Sequence, residues 1–164
     1  MIGILDYGLG NIRAFLNIYK YLDKDTIRLT KPEQFNQVEK IILPGVGSFD
    51  WALEKLFTSG LKDPLENAVI DKKKPILGVC VGMQIMATTS EEGEKNGLNW
   101  IKGRVVKFKN PNNKSYPLPQ IGWNDVIMTN NPLLKGMEKS KFYFLHSYHF
   151  CPEDDIHGIS KTSY

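Results

Sequence analysis

Cys80 stands in the run Gly78-Val79-Cys80-Val81-Gly82-Met83-Gln84, led in by the apolar Pro75-Ile76-Leu77. A strand-like run, a cysteine with glycine two residues before and two after it, and a helix-like continuation form the pattern of a nucleophile elbow, with a thiol in place of a hydroxyl. Glycine suits those two positions because so sharp a turn leaves no room for β-carbons beside the nucleophile. The turn would also set the sulfur at the start of a helix, where backbone N–H groups and the helix dipole favour thiolate over thiol. The competing reading is a buried cysteine acting as a small apolar filler. The pattern favours a nucleophile and leaves its reaction open.

A nucleophile that attacks a carbonyl needs donors aimed at the developing oxyanion, and losing one such donor typically costs about 2.7–4 kcal/mol of transition-state stabilisation. Pro44-Gly45-Val46-Gly47-Ser48-Phe49 is the candidate loop, since its glycines leave backbone N–H groups accessible. The N–H groups near Val46 and Gly47, with that of Val81 after the nucleophile, would serve; a plain turn after a strand is the alternative. Gly8-Leu9-Gly10-Asn11 also follows a strand and opens a helix. It lacks the third glycine of a dinucleotide fingerprint, because Arg13 and Ala14 fill that region, and no acidic residue closes a second strand at the expected distance. A tight strand-to-helix turn, available for a subunit contact, is the reading favoured.

The elements that must position these residues follow an alternating rhythm of short apolar runs and longer amphipathic segments, which predicts a parallel sheet covered by helices. Strands are expected at Ile2 to Leu5, Ile27 to Leu29, Lys40 to Leu43 and Pro75 to Val79. Asn11 reads as the N-cap of a helix with Ile12, Phe15, Leu16, Tyr19 and Leu22 on one face. Further helix is expected at Asp50 to Phe57, at Leu65 to Ile70 and after the elbow. Beyond Trp100 the texture changes to short strand-like runs at Val105 to Phe108, Asn124 to Ile127, Phe142 to Leu145 and Tyr148 to Phe150. Asn110 to Pro119 reads as a surface loop.

The 164 residues suit one domain, and 41% hydrophobic with 24% charged residues is ordinary for a globular chain. A net charge of +3 with scattered lysines gives nucleic-acid binding little support, and Lys72-Lys73-Lys74 reads as a solvated loop. Two cysteines, Cys80 and Cys151, make no disulfide framework, and a thiol nucleophile needs a reducing setting. There is no basic n-region or cleavage site after Met1 and no run of membrane-spanning length, so a cytoplasmic protein is expected.

Five segments together carry a resemblance. They are Asp6-Tyr7-Gly8-Leu9-Gly10-Asn11, Pro44 to Phe49, Gly78 to Gln84, Pro119-Gln120-Ile121-Gly122-Trp123-Asn124 and Phe144-Leu145-His146-Ser147-Tyr148. In that order, across nearly the whole chain, they resemble the glutamine amidotransferase subunit of imidazole glycerol phosphate synthase, a class I amidotransferase of histidine biosynthesis. The elbow alone would indicate only the superfamily. The resemblance implies an α/β fold with a central, mostly parallel sheet. It also implies hydrolysis of glutamine to glutamate and ammonia, with ammonia passed to a (β/α)8-barrel cyclase that makes imidazole glycerol phosphate and AICAR. By family role Cys80 would attack the glutamine amide and form a thioester. Val46, Gly47 and Val81 would supply or shape the oxyanion hole. Gln84 and the Ser147-Tyr148 backbone would hold the amino-acid part of the substrate. Trp123 and the turn containing Gly10 and Asn11 would lie towards the partner. No metal or cofactor is implied.

The family's base is a histidine in a His-Pro-Glu segment near the C-terminus, and none of His146, His149 and His157 is followed by Pro-Glu. His146 belongs to the substrate-contacting segment, His149 reads as a strand residue, and His157 lies in an acidic turn. The expectation is therefore a single amidotransferase domain over residues 1–164 that is incomplete at its C-terminus and lacks its last strands, the base and its orienting acid. Two other functions stay open on sequence: a non-catalytic module that docks on a barrel synthase, and a paralogous amidotransferase feeding a surface-sugar synthase.

Overall fold

The computed structural model describes residues 1–109 and 117–163. Its centre is a four-stranded sheet of β1 (Ile2–Leu5), β2 (Thr26–Leu29), β3 (Lys40–Gly45) and β4 (Ile76–Cys80), all parallel and ordered β2-β1-β3-β4. Parallel strands covered on both faces must be apolar throughout. Ile41, Ile42 and Leu43 on the inner strand β3 are accordingly all buried.

Helix α1 (Ile12–Tyr21) starts at Asn11, whose side-chain oxygen accepts from the Ala14 N–H at 3.2 Å. Its apolar stripe of Ile12, Phe15, Leu16 and Tyr19 covers one sheet face over Ile4 and Ile42, whereas Leu22, expected on the same face, falls at the C-cap and is exposed because the helix ends at Tyr21. The opposite face is covered by α2 (Phe49–Thr58) and α3 (Lys62–Glu66), which continues as a π-helical turn over Asn67–Asp71. Phe49, Leu53, Leu56 and Leu65 sit fully buried there with Leu5, Leu29 and Leu43. Each such side chain removed from water contributes about 1.5–3 kcal/mol to holding the helices on the sheet.

Past the sheet come α4 (Val81–Gln84) and β5 (Thr89–Ser90). β6 (Gly103–Lys107) pairs in parallel with β5 and antiparallel with β10 (Tyr148–Pro152). β7 (Gln120–Asp125) and β9 (Lys141–His146) form an antiparallel pair with Trp123 opposite Tyr143. β8 (Ile127–Met128) pairs with β11 (Ser160–Lys161).

Four expectations need correction. The helix after the elbow is a single turn, because the carbonyls that would continue it turn to another segment. Ile85, Met86 and Ala87 accept from the N–H groups of Leu98, Trp100 and Asn99. The strand expected over Asn124 to Ile127 is instead the end of β7 and the start of β8, separated at Val126. The helix expected at Leu65 to Ile70 begins at Lys62 and changes to π geometry at Asn67. Lys74 is not a solvated loop residue: its ammonium donates to the carbonyls of Phe35 (2.6 Å) and Val38, at the end of a 3-10 turn. Of the loop expected over Asn110 to Pro119, residues 110–116 lie outside the described residues. No helix among the described residues is long and apolar enough to cross a membrane.

Candidate active site

Cys80 ends β4 with φ 56° and ψ −123°, a conformation that costs a non-glycine residue about 1–3 kcal/mol and persists only where its surroundings impose it. The surroundings here are backbone. A β-carbon on Gly82 would stand 2.0 Å from the Leu43 carbonyl oxygen, and one on Gly78 would stand 2.6 Å from the Met83 α-carbon. The elbow glycines are thus required by close approach, as the spacing suggested. Cys80 is exposed and makes no disulfide, which removes the reading of a buried filler.

The neighbouring loop is pressed against the same turn. Gly45 is in register with Cys80, and a β-carbon on Gly45 would lie 2.2 Å from the Gly82 nitrogen. Val46 is about half exposed, and Gly47 has φ +87°, which only glycine adopts without strain. Val81, buried, opens α4, so its N–H has no acceptor within that turn. The structure therefore brings Cys80, Val81, Val46 and Gly47 to one corner, at the C-terminal ends of β3 and β4. Ligands of open parallel sheets bind at that end.

Two residues not singled out from sequence hold this loop. The buried Tyr7 hydroxyl donates to the Pro44 carbonyl at 2.7 Å. Burial, and secondarily the nearby Cys80, push its phenol well above the usual range, so it stays protonated. At the far end a Glu92 carboxylate oxygen accepts the Phe49 N–H at 2.8 Å, capping α2 from a residue that lies 43 positions away. Asp50 returns the connection by accepting from the Glu94 and Lys95 N–H groups at 3.0 and 3.1 Å. Tyr7 lies inside a quoted motif, but no local pattern announces either contact.

Gln84 is buried, and its amide donates to the Tyr148 carbonyl at 3.3 Å, which joins the elbow to the Ser147-Tyr148 segment. His146 Nδ1 lies 2.8 Å from the same carbonyl. The Ser147 carbonyl accepts the Phe108 N–H at 3.1 Å. Gly10 packs over Pro44, where a β-carbon would come within 2.7 Å of the proline ring. Gly8 and Gly10 both have positive φ, and Asp6 accepts from the Gly8 N–H while pairing with Arg28; the turn is a tight strand-to-helix connection. Asn11 uses its side chain as the cap of α1. Trp123 is not gathered into this corner: it stands exposed on β7, edge-on to Tyr143 at 5.6 Å.

No histidine bonds to Cys80 among the described residues. His149 stacks on Phe108 at 4.8 Å and lies 3.6 Å from the Cys151 sulfur; burial lowers its pKa. His157 closes a 3-10 turn. Among the described residues no group of three or more His, Cys, Asp or Glu side chains could hold a metal ion.

An exposed, strained thiol at a strand-to-helix elbow, beside a glycine loop, is the arrangement of a cysteine nucleophile. The family model "Glutamine amidotransferase class-I" matches residues 4–163, and the chain belongs to that family. It is 52% identical to an imidazole glycerol phosphate synthase subunit HisH of Leptospira borgpetersenii, over 100% of this chain and 82% of the relative. It is 44% identical to the subunit of that name from Bdellovibrio bacteriovorus, with the same coverage. A solved structure described as a glutamine amidotransferase superposes with a TM-score of 0.69 at 17% identity, covering 91% of this chain and 72% of that one, which shows the shared fold.

Proposed function

We propose that this chain is the glutamine-hydrolysing subunit of an imidazole glycerol phosphate synthase. In this reading residues 1–164 belong to one amidotransferase domain that supplies ammonia to a (β/α)8-barrel cyclase. The observation that carries it is Cys80 itself, an exposed thiol held in a strained conformation by backbone packed on backbone. Strain of this kind is maintained where a side chain has to be presented.

The Cys80 sulfur adds to the side-chain amide carbon of glutamine, and the carbonyl oxygen takes up the negative charge. N–H groups from Val81 and from the Val46-Gly47 segment receive that charge. Collapse breaks the C–N bond, the leaving nitrogen takes up the proton given up by the Cys80 thiol and departs as ammonia, and the γ-glutamyl group stays on sulfur as a thioester. Water then cleaves the thioester to glutamate and restores the thiol. Gln84 and the Ser147-Tyr148 backbone hold the amino-acid part of glutamine. None of His146, His149 and His157 is assigned as the base, since among the described residues none is hydrogen-bonded to Cys80 and each has other surroundings.

Gly10, Asn11 and Trp123 are assigned to the partner side. Ile121, Trp123, Tyr143 and Leu145 form one face of β7 and β9, each more than half exposed. A contiguous apolar face of that kind marks an interaction surface. With the cyclase and its ligand present, the protein should release glutamate from glutamine, and Cys80→Ala should abolish this while sparing the cyclase reaction driven by free ammonia. Glutamate release that survives Cys80→Ala would refute the assignment.

A further inference from the structure

β3 outruns β1. Their register ends at Ile4 opposite Ile42, yet β3 continues to Gly45 along β4. The Ile41 N–H donates towards β4, at the Pro75 carbonyl. Backbone groups alternate sides along a strand, so Leu43 and Gly45 also face β4, whereas Ile42 and Pro44 face β1. At Pro44 there is no N–H to satisfy, but the carbonyl points past the end of β1 into a buried space. A β1 that ran on would bring the backbone N–H of residue 7 there. The chain instead turns away, with the Asp6 N–H on the Leu29 carbonyl of β2 and its carboxylate on the Gly8 N–H and Arg28. The Tyr7 side chain takes over the vacant rung, its hydroxyl donating to Pro44 at 2.7 Å from a buried position.

We propose that Tyr7 is a positioning residue for amide hydrolysis, holding the Pro44–Gly45 peptide so that the Val46 and Gly47 N–H groups are presented to the oxyanion formed at Cys80. The inference rests on the glutaminase reading given above. Because the Pro44 carbonyl and the Gly45 N–H share one plane, fixing the first fixes the second. Gly45 itself is held in register with Cys80 and against the Gly82 nitrogen, so the rotation still available to the loop lies at Val46 and the positive-φ Gly47. Without the hydroxyl, the Pro44 carbonyl is buried and unpartnered, and rotation of its peptide out of line becomes favourable. Protonated throughout the working pH range, Tyr7 remains a donor whatever the state of Cys80.

The test compares two reagents at Cys80 in the assembled synthase, with the modified peptide mapped to separate Cys80 from Cys151. 6-Diazo-5-oxonorleucine mimics glutamine and presents a carbonyl to the oxyanion donors, whereas iodoacetamide needs only an accessible thiolate. In Tyr7→Phe the glutamine mimic should react about tenfold more slowly, and iodoacetamide within about twofold of wild type. Installing 4-aminophenylalanine at position 7, which restores an N–H donor at the same reach, should bring the first rate back to within about threefold.

Equal rates with the mimic in wild type and Tyr7→Phe would overturn the proposal. So would an equal fall with both reagents, which is the mark of a merely space-filling role, or failure of the aminophenylalanine to rescue. A wild-type Cys80 that iodoacetamide modifies but the mimic does not would overturn the glutaminase reading, and this inference with it.

Discussion

Every buried apolar side chain among the described residues lies between Ile4 and Val105. Beyond Val105 the one buried residue among those described is Gln120, and neither polar atom of its amide has a hydrogen-bond partner. The inner face of β7 and β9 borders a cavity of about 810 Å³ lined by Phe142, Phe144, Phe150 and Met128, with the unpartnered Nε2 of His146 nearby. Their outer face presents Ile121, Trp123, Tyr143 and Leu145 to solvent. In the first region Gly45, Gly78 and Gly82 bring backbone onto backbone with no space for a β-carbon. Among the described residues the second holds three of the four buried side-chain polar atoms without a partner, the fourth being Trp100 Nε1 in the first. In the proposed reading the chemistry needs the first kind of construction, since oxyanion donors act only at a set distance. Recognition of substrate and partner can use the second.

Substitutions at glycine should break the comparison most visibly. Gly82→Ala must force apart Leu43 and the elbow, and denaturant titration should show a loss of about 3 kcal/mol or more. Gly136→Ala, at φ +86° with open space around it, should cost only about 1 kcal/mol. Similar losses at the two sites would mean that the first region is no more tightly set than the second.

Cys80 sharpens the comparison from inside the first region. Its positive φ is strained for any L side chain, so Cys80→Gly should be about 1 kcal/mol more stable than Cys80→Ala in thermal unfolding, with both inactive. Equal stability would remove the claim that the elbow stores strain.

The smallest effect concerns pH and belongs to the second region. Burial lowers the pKa of His149 below its ordinary value of 6.5, so the unfolded chain takes up this proton first as pH falls. The resulting stability is present above about pH 6.5 and is lost on acidification below it. Chemical denaturation from about pH 7 to about pH 5 should show a shallower decline in His149→Gln than in wild type. An unchanged slope would contradict the assignment to His149.

The legibility of the sequence follows the same division. Cys80 could be found because its requirements are local: glycines at 78 and 82, an apolar run before and a turn after. Asn11 as a cap and the α1 stripe of Ile12, Phe15, Leu16 and Tyr19 were likewise readable from spacing. The length of α4 was not, because it is set by Leu98 to Ile101 drawing off its continuing carbonyls. Tyr7 on Pro44 depends on one strand outrunning another, and Glu92 on Phe49 joins segments far apart in the chain. Such contacts arise from topology and leave no periodic trace.

The central claim is that Cys80 carries the acyl group of glutamine. The most direct measurement is an acid quench of the synthase during turnover, followed by mass analysis of the peptides containing Cys80 and Cys151. The account predicts one γ-glutamyl group on the Cys80 peptide and none on the Cys151 peptide. Turnover with no adduct on Cys80, or with the adduct on Cys151, would contradict it.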